Sequence, residues 1–137
     1  QIQWLPPDGL SDPTTLAPIA RPAQTTTYTL TATTALGCTA GDAMVVTVLQ
    51  QPVIPTAFSP NGDGINDTWL IRGIEGYEGL RLLIFDRYGR EVHRAGGSDA
   101  PWNGTQKGQP VPAGLYYYLL QDRIGRLNTR GSVLVLR

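Results

Sequence analysis

The chain has 137 residues, about one domain by length, and its eleven basic and eleven acidic residues leave no net charge. Sixteen Gly and eleven Pro make up about a fifth of it, dispersed as turn punctuation and not gathered into a low-complexity tract. This composition excludes the concentrated basic face that nucleic-acid binding requires. It holds no run of 18 apolar residues for a membrane span, and one Cys and one His are too few for most metal or nucleophile constellations.

No window carries a 3.6-residue apolar period long enough for a substantial helix, while β-branched and aromatic residues are plentiful, so an all-β fold is expected. Gln1-Ile2-Gln3-Trp4 alternates from its first residue like the middle of a strand. With no initiator Met, the chain is expected to be the C-terminal end of a longer precursor whose targeting segment lies upstream. Strands are predicted near residues 2–4, 26–34 and 43–49. In the second, Tyr28, Leu30 and Ala32 form an apolar face against the hydroxylated Thr27, Thr29, Thr31 and Thr33. In the third, Met44, Val46 and Val48 alternate with Val45, Thr47 and Leu49, which predicts a more buried strand. A complete sandwich takes about 100 residues, so residues 1–51 are read as the rear part of one. Gly9-Leu10-Ser11-Asp12-Pro13, Pro22-Ala23-Gln24-Thr25-Thr26-Thr27-Tyr28-Thr29-Leu30-Thr31 and Leu36-Gly37-Cys38-Thr39 resemble the immunoglobulin-like, PKD-like repeats of large bacterial surface proteins. An odd Cys38 in an exported chain implies a disulfide partner upstream of residue 1.

Gln51-Pro52-Val53-Ile54-Pro55 separates this unit from residues 52–137, because the flanking prolines keep it extended and deny it ladder donors. Thr56-Ala57-Phe58 opens the second unit and a loop over residues 59–67 follows. A strand at 69–71, a polar loop at 73–79 and a hairpin of 80–86 with 90–94 come next. The hairpin turn Asp86-Arg87-Tyr88-Gly89-Arg90 places Gly where a type I turn with a G1 bulge needs positive φ. After the turn signals Trp102-Asn103-Gly104 and Pro112-Ala113-Gly114, strands are predicted at 115–121 and 131–136. Short strands with turn signals every 8–12 residues predict an antiparallel, immunoglobulin-like β-sandwich.

The second unit resembles the type B C-terminal sorting domain of the type IX secretion system, also described as the gliding-motility-associated C-terminal domain. The matching segments are Phe58-Ser59-Pro60-Asn61-Gly62-Asp63-Gly64-Ile65-Asn66-Asp67-Thr68-Trp69, Ile84-Phe85-Asp86-Arg87-Tyr88-Gly89-Arg90-Glu91-Val92, Trp102-Asn103-Gly104, Gly108-Gln109-Pro110-Val111-Pro112-Ala113-Gly114-Leu115-Tyr116-Tyr117-Tyr118 and residues 131–137. The middle and late segments are also similar to the immunoglobulin-like domain of flagellar hook-capping proteins, which speaks to fold alone. The resemblance implies a non-catalytic signal. It would direct a large protein across the outer membrane of a Gram-negative bacterium and retain it at the cell surface. It implies as partners the type IX machinery and an outer-membrane β-barrel protein of the PorP/SprF family.

Several residues are singled out beside that resemblance. The motif loop Asn61, Gly62, Asp63, Gly64, Asn66 and Asp67 invites a calcium reading with Asn61, Asp63 and Asp67 as ligands. Aligned on an EF-hand loop, however, it lacks the bidentate acid, since Leu70 falls at that position. The simpler reading is an Asx-turn loop whose side chains bind backbone N–H groups. Trp69 and Trp102 are expected in the core. Tyr117 must face opposite to Tyr116 and Tyr118, and whichever set lies outside is a candidate docking strip. His93 is expected at the surface. Gly131, Val133, Val135 and Arg137, on the final strand, are the candidate recognition residues, with Arg137 taken as a free terminal charge. No nucleophile–base–orienter set is present, so an enzyme is not expected. The alternative to a sorting signal is an adhesion or glycan-binding module.

Overall fold

A computed structural model describes residues 1–137 as ten strands and no helix, divided into two compact units, Gln1–Leu49 and Gln50–Arg137. The first holds a three-stranded antiparallel sheet of β1 (Ile2–Leu5), β2 (Thr26–Thr33) and β3 (Thr39–Val46), in that order. The expected apolar face of β2 forms only in part: Leu30 is half-buried and Ala32 is exposed. Tyr28 is buried, and its hydroxyl donates to the Asp8 carbonyl at 2.7 Å. The Trp4 indole N–H donates to the Thr15 carbonyl at 3.0 Å. These two aromatic anchors hold the long β1–β2 connection in place. β3 departs from expectation: it starts earlier than residue 43, and Met44 and Val45 stand about half exposed. Its alternation records that the strand can be covered, and within this unit nothing covers it.

The second unit is an immunoglobulin-like β-sandwich. Its main sheet has the order β4 (Ala57–Phe58), β10 (Asn128–Val135), β9 (Gly114–Gln121), β5 (Arg81–Phe85) and β6 (Glu91–Gly96). All its pairings are antiparallel except the parallel one between β4 and β10. The opposite layer is irregular. It consists of the small hairpin β7 (Thr105–Gln106) and β8 (Gln109–Pro110) and of segments joined by single bridges, Val53 to Arg72 and Trp69 to Trp102. The strand expected at 69–71 is therefore only a bridge. Lys107 and Gly108, at φ 50° and 78°, close the β7–β8 hairpin in the doubly positive turn that two-residue hairpins favour.

The core lies between these layers. Leu82 and Ile84 of β5, Tyr116 and Leu120 of β9, and Val133 and Val135 of β10 point inward, against Trp69, Ile71, Trp102 and Val111. The aromatic rings pack in two groups: Phe58 on Trp102 at 5.3 Å with Trp102 on Tyr116 at 5.5 Å, and Trp69 on Tyr118 at 5.1 Å between centroids. Both indole N–H groups are satisfied, Trp69 by the Pro55 carbonyl and Trp102 by that of Thr105. His93 is corrected to an inward position. It stacks on Trp102 at 5.9 Å, and its Nε2 is buried without a hydrogen-bond partner. The β5–β6 turn forms as predicted, with Gly89 at φ 78° and the Asp86 carboxylate accepting from the Tyr88 and Arg90 amides.

Candidate functional site

The motif loop owes its shape to its short polar side chains. Asp67 Oδ1 accepts from the amides of Asn61 and Gly62 at 2.9 and 2.7 Å, and its Oδ2 accepts from Gly64 at 2.7 Å. Asn61 Oδ1 accepts from the Asp63 amide, and Asp63 Oδ1 accepts from that of Ile65. Asp63 Oδ2 faces the Asn61 side-chain amide at 3.0 Å. Gly62 and Gly64 sit at φ 80° and 85°, where a β-branched residue is strained although a Cβ would meet no neighbour. Asn66 tolerates φ 53° as Asn characteristically does. The Gly62 and Gly64 amides hold the Asp67 carboxyl below the usual carboxylate range, with partial burial opposing them.

Calcium requires six to eight oxygens. The oxygens of Asn61, Asp63 and Asp67 are engaged in six hydrogen bonds with N–H donors of the loop itself. An ion at these residues would have to share oxygens that already accept those bonds, and no cluster of three His, Cys, Asp or Glu side chains stands near to add ligands.

The final strand is anchored to the segment that leads into this loop. The Leu134 amide donates to the Thr56 carbonyl and the Leu136 amide to that of Phe58, both at 2.9 Å. Val133 and Val135 are almost completely buried. Burying each contributes roughly 1.5–3 kcal/mol. Gly131 lies opposite Tyr118, and a Cβ there would stand 2.7 Å from the phenol oxygen, so glycine is what lets the ring lie across the strand. Arg137 is corrected from a free terminal charge to a cross-brace. Its guanidinium donates to the carbonyls of Val111 at 3.0 Å, Pro60 at 3.2 Å and Gly104 at 2.9 Å. It thus ties the chain end to three separate loops.

Of the four candidate recognition residues, two valines are interior, the glycine makes room for Tyr118 and the arginine braces loops. The strand and the motif loop form one construction, brought together by the β4–β10 pairing. On β9 the ambiguity between tyrosines resolves: Tyr116 is buried, Tyr118 packs against the core, and Tyr117 is outside and about half exposed. Sequence reasoning missed the Arg137 brace, for which no local pattern exists. In the first unit, Cys38 is exposed and free.

Known proteins bear on this arrangement in one respect. A family model described as the CHU_C Type IX secretion signal domain matches residues 53–135, which takes in the motif loop, the core aromatics and the final strand. No curated protein matches the chain.

Proposed function

Because the chain belongs to the type IX secretion signal domain family, we propose that its second unit carries a larger upstream protein across the outer membrane of a Gram-negative bacterium and holds it at the cell surface. The observation that carries this reading is the extent of the family match, which spans nearly the whole of the sandwich in Gln50–Arg137. The family is one of signals and not of catalysts, and the motif loop is built of side chains turned onto their own backbone. The partners on this reading are the type IX machinery and an outer-membrane β-barrel of the PorP/SprF type. The protein has no helix long and apolar enough to cross a membrane itself. The first unit is, on the same reading, the rear part of an immunoglobulin/PKD-like repeat. Its uncovered β3, with Met44 and Val45 half exposed, supports that assignment.

The test is a fluorescent reporter fused ahead of residue 1 and expressed, behind a periplasmic export signal, in a host with this secretion system. The reporter is expected outside the cell or on its surface. Retention in the periplasm, level with a reporter lacking the chain, would overturn the proposal.

A further inference from the structure

The outer face of the main sheet of the second unit is not the solvated face that an antiparallel sheet normally turns to water. Along β5 and β9, and at Leu134 of β10, residues that alternate away from the core form apolar cross-strand pairs, while Asn128, Arg130 and Ser132 make the rest of β10 polar on this face. Phe85 stands opposite Tyr117 and Leu83 opposite Leu119, and Leu115 stands opposite Leu134. Leu115, Tyr117 and Leu134 are between 37% and 47% exposed. Such a contiguous apolar patch marks an interaction site.

The charges that flank the patch without an ion-pair partner are of one sign. Arg81 and Arg130, both exposed, flank it on β5 and β10, and neither takes part in an ion pair. The acid of this face, Glu91, is already held by two hydrogen bonds from Arg94. Two copies meeting through this face would oppose arginine to arginine with no free carboxylate between them. A partner with acidic groups around an apolar centre would match both features.

We infer that the outer face of this sheet, centred on Tyr117 and Leu134 and bordered by Arg81 and Arg130, docks onto an acidic-rimmed protein surface. The inference rests on the secretion-signal reading and names the surface that does the reading-out. It assigns the final strand two sides, one completing the core and the other contributing to the docking face.

The experiment uses the full chain fused to the reporter, with Tyr117→Thr/Leu134→Thr and Arg81→Glu/Arg130→Glu as test variants and Leu36→Thr, in the first unit, as control. Threonine keeps strand propensity while removing the apolar surface. Both test variants are expected to lower surface delivery at least tenfold, with melting temperatures within a few degrees of the parent, while Leu36→Thr is delivered normally. If the apolar variant fails to fold, the charge variant, whose residues make no ion pair, decides the matter. Normal delivery of both folded variants beside normal delivery of the parent overturns the docking face alone. Failure of the parent overturns the secretion reading and the inference with it. Self-association of the purified parent in sedimentation, abolished by Tyr117→Thr/Leu134→Thr, would reassign the face to a second copy. Binding to phosphatidylglycerol vesicles abolished by the same change would reassign it to lipid.

Discussion

The Arg137 guanidinium bridges carbonyls that lie 26, 33 and 77 residues earlier in the chain. Hydrogen bonds to charged donors contribute more than neutral ones, and the planar fork suits three acceptors that a lysine ammonium on its flexible stem would not span. Arg137→Ala should therefore cost about 1–2 kcal/mol of stability, read as a fall of several degrees in the melting temperature of the second unit, and Arg137→Lys should not restore it. An unchanged melting temperature in both variants would mean the three bonds are idle. His93 makes a second prediction at this scale. Burial against Trp102 pushes its imidazole below the ordinary value, with the Asp99 carboxylate pulling the other way. The unfolded chain therefore binds the extra proton more readily. The contribution of neutral His93 is intact above about pH 6.5 and declines as pH falls toward the folded-state value. Asp67 and Asp122, both held below the usual carboxylate range chiefly by backbone amides, act in a different window, losing their contribution only below about pH 4. Thermal melts between pH 7.5 and 5 should thus show a loss of stability that His93→Phe removes; a slope that survives the substitution would assign the effect elsewhere.

Among the elements, the motif loop behaves as a self-contained turn. Millimolar calcium should leave the melting temperature where a chelator leaves it, since mass action stabilises only if the ion binds the folded form. A rise with calcium that Asp63→Ala abolishes would show instead that the ion binds at the loop. In either case Gly64→Val should destabilise, because the backbone at φ 85° does not suit a β-branched residue. This loop was legible in the sequence because its determinants are local: Asx side chains two to six residues from the amides they bind. The β5–β6 turn was legible for the same reason, through Gly89. Tyr116, Tyr117 and Tyr118 were legible only halfway. Alternation separates two faces but does not say which one meets Trp69 and Trp102. His93 and β3 misled for a related reason. What stacks on the imidazole and what fails to cover Met44 are both set by distant segments. The paired β7 and β8 are two residues each, too short for any periodicity to register.

For the whole molecule, the controlling feature is that β4, the first strand of the second unit, lies beside β10, the last. Removing residues 133–137 takes away the burial of Val133 and Val135, the partners of Thr56 and Phe58, and the Arg137 brace together. Such a chain should lose the cooperative transition of the second unit and leave a fused reporter in the periplasm. Surface delivery of that deletion at the parental level would dissociate the closed sandwich from export. The parallel closure also has a temporal side. Ala57 and Phe58 leave a ribosome 77 residues before Leu134 and Val135, with which they pair, so the sandwich cannot close until β10 has been made. A message cut short, or a chain clipped upstream of β10, yields a second unit without its closing strand. Because closure waits for β10, a closed second unit marks a chain that has been synthesised at least as far as Val135.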